Sequence, residues 1–316
     1  MSLRPVVCVS KPVRACLSGE DLDWMRGRSA CVALDLLTTV EVNRSIMAEV
    51  ASGTALSEWA QGIWRFLGER ISGLAPGPPP VRVRSQAPFA SGLASSTALI
   101  LALFEAFVVE IATGAPVPSA VIVQWAYEFE FAICNGGGMD HLAIARGGAT
   151  LFDGRPSGLP ELVDHVDFPA EWSLVVVDSG TPKSTPHHIR SVRAQYAASD
   201  PVLAEYIERS DAASGQVWEA IRVRHLRALT DAMTDAHRAM RDLQKMSTPL
   251  IEQLRSLARS AAGLPLKISG AGGGGALVGV CPASDAAVIA EALRGAYYDI
   301  QPGTQVIAAG SVSAYS

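Results

Sequence analysis

The chain has 316 residues, 49% of them apolar and 18% charged, and its 26 Lys and Arg against 31 Asp and Glu leave a net charge of −5. That much apolar material excludes general disorder, and the acidic balance argues against a broad nucleic-acid binder or a binder of anionic membranes. At ~150 residues per domain the length predicts two domains. Gly at 28 and Pro at 19 exclude collagen-like or low-complexity sequence.

In chain order, residues 5–10, 30–34 and 38–42 are apolar, β-branched runs that predict strands. Residues 56–71 place Trp59, Ile63, Trp64, Phe66 and Leu67 at helical spacing, and this aromatic face reads as core. Residues 73–80 are a Gly/Pro loop, and 81–84 alternate like a half-exposed strand. A Gly/Ser-rich turn leads into an apolar helix over 97–112, which Pro116 and Pro118 separate from a second helix over 119–132. Asn135-Gly136-Gly137-Gly138 ends that helix, and residues 147–152 and 174–178 read as strands. Residues 203–262 are helical in periodicity. The tail alternates: strands at 266–269 and 276–281, a helix over 286–295, a strand at 305–309. Without a regular βαβ rhythm, the pattern predicts an α+β fold divided near residues 155–170, with no internal repeat.

Cys8, Cys16, Cys31, Cys134 and Cys281 are dispersed, with no CxxC pair and no zinc-ligand spacing, as expected of reduced thiols in a cytoplasmic protein. Cys16 and Cys134 read as inert core thiols. The N-terminus does not read as a signal peptide. The helix at 97–112 is interrupted by Glu105 and Glu110 and falls short of the ~20 residues a membrane span needs.

Two glycine-rich segments point to phosphate chemistry. Pro88-Phe89-Ala90-Ser91-Gly92-Leu93-Ala94-Ser95-Ser96-Thr97-Ala98 runs directly into the apolar helix. A loop that opens a helix offers unpaired backbone N–H groups and the positive end of the helix dipole, although an ordinary capped helix has the same signature. Lys267-Ile268-Ser269-Gly270-Ala271-Gly272-Gly273-Gly274-Gly275 matches G-x-G-x-x-G, yet a strand follows it and not a helix. With only 41 residues beyond Gly275, a nicotinamide-dependent oxidoreductase is a distant reading. The Lys and Ser/Thr of a P-loop are absent.

These residues resemble the GHMP small-molecule kinases, in the sugar-kinase (galactokinase-like) branch. The 88–98 segment resembles their second motif and 267–275 their third. Residues 11–24, Lys-Pro-Val-Arg-Ala-Cys-Leu-Ser-Gly-Glu-Asp-Leu-Asp-Trp, resemble the first motif in its sugar-kinase form. Asn135-Gly136-Gly137-Gly138-Met139-Asp140-His141 is similar to the segment with the catalytic aspartate of galactokinases. The motifs lie in the family order. The resemblance implies a ribosomal-protein-S5-like N-terminal domain for ATP and phosphate at 1–160, a ferredoxin-like C-terminal domain at 161–316, and a site between them.

The resemblance also implies roles. Asp140 matches the aspartate that takes the acceptor proton, and Arg14 the basic residue beside it that keeps it ionised. Glu20 and Asp23 match positions that hold sugar hydroxyls. Pro88, Gly92, Leu93, Ala94, Ser95, Ser96 and Thr97, with Gly270, Ala271, Gly272 and Gly273, match the nucleotide loops. Ser96 and Glu128, twelve residues before Asp140, match the Mg²⁺ ligands, with Glu130 as the rival carboxylate. Val175–Ser179 with Gly180, Lys183, Ser184 and Thr185 resembles the start of the C-terminal domain.

The departures are Val13 for glycine, Asp21 for histidine, and Ala94 and Thr97 in the second motif. The first two put the substrate in question and not the reaction. Asp21 adds negative charge that favours a neutral or amino-bearing acceptor over an acidic one. Plainer readings stand beside these: Asp140 as a helix cap, Arg14 with Glu20 as a surface ion pair, His187 and His188 as solvated loop residues. The expected activity is ATP- and Mg²⁺-dependent phosphorylation of a hydroxyl on a sugar or sugar derivative, the anomeric one included. The alternatives are a kinase of a small non-sugar alcohol, mevalonate- or homoserine-like, and a non-catalytic sugar or nucleotide sensor. The expected partner is a small-molecule substrate, with neither nucleic acid nor membrane; the assembly state stays open, a homodimer among the options.

Overall fold

Strand β1, Val7–Ser18, and strand β2, Arg28–Val42, form a long antiparallel pair that brings the first motif into the middle of a sheet. These and all following elements come from a computed structural model that describes residues 6–42, 54–111, 116–181 and 185–314. The two predicted runs in β2 are one continuous strand. Asp35 between them is exposed and accepts from Gly310 N (2.9 Å), so a polar residue at an outward position does not end the strand. Helix α1, Thr54–Gly68, precedes strand β3, Val81–Ser85, which pairs with the far end of β2.

Helix α2, Ser95–Ile111, is apolar all round and lies buried over β1 and β2. Trp64 stacks edge-on against Phe107, and Phe66 against Phe104, as the aromatic face predicts. Helix α3, Ser119–Cys134, ends at Asn135 in the left-handed region (φ 57°), and helix α4, Met139–Arg146, follows. Strands β4, Ala149–Asp153, and β5, Glu161–Val166, complete a five-stranded sheet of order β1-β2-β4-β5 with β3 beside β2. The sequence pattern gave no sign of β5, whose Glu-Leu-Val-Asp-His-Val mixes polar residues at both faces.

Strand β6, Trp172–Asp178, starts a second sheet. The helical stretch then divides into α5, Thr185–Ala197, α6, Pro201–Arg222, α7, Leu226–Leu243, and α8, Pro249–Ala262. Asp200, His225 and Thr248 each cap the following helix through a side chain that accepts a backbone N–H. Strands β7, Lys267–Ile268, and β8, Ala276–Pro282, flank the glycine loop, and helix α9, Ala286–Tyr297, leads to β9, Gln305–Ala309. The order β7-β8-β6-β9, with every pair antiparallel, is that of a ferredoxin-like split β-α-β sheet. One apolar core joins the inner faces of both sheets around α2 and α6. Among the described residues no helix is long and apolar enough to cross a membrane. Lys183 and Ser184, with Pro5 of the predicted 5–10 strand and Ala112 of the predicted 97–112 helix, lie outside the described residues.

Candidate active site

Arg14 sits on β1, buried, and its guanidinium fixes two separate pieces of the site. Nε donates to Asp140 Oδ1 at 2.7 Å, Nη2 lies 2.7 Å from the same oxygen, and Nη1 donates to Gly92 O at 2.6 Å. Burial works against this cation, but the Asp140 carboxylate outweighs it and holds the guanidinium above its usual range. Asp140 lies in the first turn of α4 with its side chain 26% exposed. It makes no helix cap, and Arg14 pairs with it and not with Glu20, so neither plainer reading is what the structure shows.

The glycine- and serine-rich segment before α2 is held by its carbonyls. Gly92 O accepts from Arg14 and from Ser269 Oγ (3.2 Å), and Leu93 O accepts from Arg14 N (3.0 Å). With those carbonyls turned inward, Gly92 at φ 94° and Ala94 at φ 56° swing the chain into the first turn of α2, where Ser95 and Ser96 stand. Ala94 occupies a left-handed conformation that an L side chain rarely adopts.

Glu20 is buried, and its Oε1 accepts from Lys267 Nζ and from Gly270 N (3.3 Å). Lys267 Nζ also donates to Cys16 O (3.3 Å) and Ile268 O (2.6 Å). Glu20 therefore anchors the C-terminal glycine loop as well as facing the cavity. Nothing in sequence spacing paired it with Lys267, 247 positions away.

Asp23 follows in a short 3-10 turn, Leu22–Trp24, buried, with Oδ2 accepting from Met139 N (3.0 Å). Gly137 packs against it so closely that a Cβ there would fall 1.8 Å from Asp23 Oδ2. Burial first, with the charges of Asp140 and Asp21, pushes the Asp23 carboxyl up to about 7. Asp21, in the left-handed region at φ 67°, is 2.6 Å from His188 Nε2 on α5. His187 is exposed as expected, whereas His188 is drawn into the site.

Glu128 does not reach the cavity. Its carboxylate accepts from Arg70 (3.1 Å) and Gln124 (3.0 Å) on a side chain that is 40% exposed. Two positions along a helix turn the side chain by ~200°, so Glu130 faces the other way. Glu130 lines the cavity, accepts from Thr97 Oγ1 at 2.8 Å and lies 3.0 Å from His141 Nε2. The structure thus brings Glu130, and not Glu128, into the cavity that Ser96 also lines.

These groups line one cavity of about 440 Å³. Of the residues singled out in the sequence, Arg14, Glu20, Asp23, Asp140, Gly92, Ala94, Ser95, Ser96, Thr97, Gly270 and Ala271 line it. Pro88, Leu93, Gly272 and Gly273 do not line it: Leu93 is fully buried, and Gly273 is exposed, its N donating to Met246 O (2.7 Å). Trp59, read as core, instead lines the cavity with Phe89, which is 62% exposed. Cys134 also reaches the cavity, and burial first pushes its thiol up to about 11. Cys16 is buried as expected.

The chain is similar to known proteins in sequence and in fold. The model of the GHMP kinases N terminal domain matches residues 58–148, and that of the GHMP kinases C terminal matches residues 218–299. A mevalonate kinase of Gibberella zeae is 30% identical over 215 residues, which cover 61% of this chain and only 42% of that relative's length. Lactococcus lactis galactokinase complexed with galactose aligns with a TM-score of 0.79 at 17% identity, over 99% of this chain and 95% of that one. The mevalonate kinase of Methanococcus jannaschii aligns with a TM-score of 0.78 at 15% identity, over 98% and 99%. At such identities the structural likeness is one of fold.

Proposed function

The chain belongs to the GHMP kinase family, and on that premise we propose that it is a small-molecule kinase that transfers the γ-phosphoryl group of ATP to a hydroxyl of a sugar or sugar derivative. The observation that carries the acceptor class is the charge around the cavity. Among the described lining residues the carboxylates are Glu20, Asp21, Asp23, Glu130 and Asp140, while Arg14 is the one arginine or lysine, and it is engaged by Asp140 and Gly92 O. An acceptor with its own carboxylate would find like charge there, whereas hydroxyls can donate to these oxygens.

Phosphoryl transfer depends on positioning and on neutralising charge. Asp140 accepts the acceptor proton, and Arg14 fixes that carboxylate while tying it to the loop that receives the phosphates. The backbone of Gly92–Ser96 and the positive end of α2 would receive the β- and γ-phosphates, with Gly270 and Ala271 lining the same cavity. The donor set fits Mg²⁺: a hydroxyl at Ser96 and a carboxylate at Glu130, oriented by Thr97, are hard oxygens for an ion that keeps several waters. Bound there, Mg²⁺ would neutralise phosphate charge.

The identity to a mevalonate kinase favours a second reading, a kinase of a small non-sugar alcohol. ATP turnover over a panel of neutral sugars, sugar derivatives and mevalonate separates the two. Turnover with a sugar and none with mevalonate supports the proposal; a higher kcat/KM for mevalonate overturns it.

A further inference from the structure

Each acidic group at the acceptor end of the cavity has a basic partner except one. Asp140 has Arg14, Glu20 has Lys267, and Asp21 has His188. Asp23 has no Lys, Arg or His partner among the described residues; its carboxylate receives the Met139 amide. It is buried between Asp21 and Asp140, and the Gly137 backbone holds it in place. A second feature of the same wall points to a donor-rich ligand: Glu20 Oε2 is buried and has no hydrogen-bond partner. The wall of the cavity therefore holds a carboxylate without a basic partner and, a few positions away on one turn of chain, a buried carboxylate oxygen without a hydrogen-bond partner.

We infer that the acceptor carries a protonated amine, and that the carboxylate of Asp23 is the group that takes it. This inference rests on the sugar-kinase reading and narrows its substrate class to amino-bearing polyols. A hydroxyl would satisfy an oxygen with one hydrogen and leave the charge uncompensated; an ammonium brings three donors and the missing positive charge. The groups that face Asp23 are Asp140 and the Met139 amide on α4, Asp21 beside it with His188 from α5, Arg14 on β1, and Tyr127 on α3. Their balance, with burial, places the Asp23 carboxyl near 7, so a bound cation favours its ionised form at neutral pH. Asp23 is here a specificity determinant; Asp140 keeps the proton transfer.

The test compares kcat/KM of the wild-type chain for hexoses, for the amino-deoxy hexoses with the amine at each ring carbon in turn, and for hexuronates. The expected result is that one amino-deoxy hexose exceeds its hydroxyl counterpart by ~10-fold or more, with the hexuronates poorest, and that Asp23→Asn brings the amine-to-hydroxyl ratio to one or below. A wild-type ratio of one or less at every ring position overturns the inference while leaving the sugar-kinase reading intact, and this is readable even if Asp23→Asn does not fold. A ratio that survives Asp23→Asn overturns the assignment to Asp23. Turnover of none of these acceptors overturns the sugar-kinase reading and the inference with it.

Discussion

Gly137→Ala perturbs the acceptor side at a single atom. The new Cβ would lie 1.8 Å from Asp23 Oδ2 and 2.2 Å from its Cγ, against a closest ordinary approach of 3.0 Å. The carboxylate must retreat by at least about 1.2 Å, which breaks its bond from Met139 N at the first residue of α4. A hydrogen bond to a charged group contributes about 1.5–3 kcal/mol. At 1.36 kcal/mol per decade that is roughly a 10- to 150-fold fall in kcat/KM for the acceptor. The KM for ATP should hardly move, because the nucleotide side is held by Arg14 and Ser269 through Gly92. The assay is steady-state kinetics against both substrates, with circular dichroism to confirm the fold. In an Asp23→Ala background the Gly137→Ala change should lose most of its effect, since the colliding carboxylate is gone. Wild-type acceptor kinetics in folded Gly137→Ala would refute the placement of Asp23 against the acceptor.

Glu130→Gln should raise the Mg²⁺ concentration for half-maximal rate by ~10-fold or more, by loss of a charged oxygen ligand, while Glu128→Gln leaves it unchanged; the reverse pattern would return the role to Glu128. His237 gives a stability prediction. Burial first, then Arg255, holds its imidazole down to about 4, against Glu252, which accepts from Nε2 at 2.8 Å. Between about 6.5 and about 4 the unfolded chain binds a proton that the folded one does not. Stability is therefore full above pH 6.5 and falls as pH drops toward 4, by about 3 kcal/mol. Denaturant titrations across that range should show the slope in the wild type and a flatter profile in His237→Gln.

The elements legible in the sequence were those with strong periodicity or strong punctuation. The apolar helix after Gly92, the helix closed by Asn135 and the last strand at Gln305–Ala309 fall close to where the pattern put them. Strand β5 and helix α5 were not legible, because their polar residues make contacts with residues distant in sequence: Asp164 with Trp218 and Arg222, and His188 with Asp21. The same physics governs the site. The family resemblance of the motifs singled out Asp140, Arg14, Ser96 and Asp23, and these four line one cavity. It did not distinguish Glu128 from Glu130, which depends on the helical phase of α3. Nor did it find Lys267 behind Glu20, a pair made only when β7 docks beside β1.

The most direct test of the central claim is the turnover of Asp140→Asn with ATP and a competent acceptor. Asparagine keeps the shape and can still meet Arg14, but it cannot accept a proton as the carboxylate does. The account predicts a kcat lower by ~10² or more, with ATP binding and the folded state retained. Turnover at the wild-type rate would contradict it.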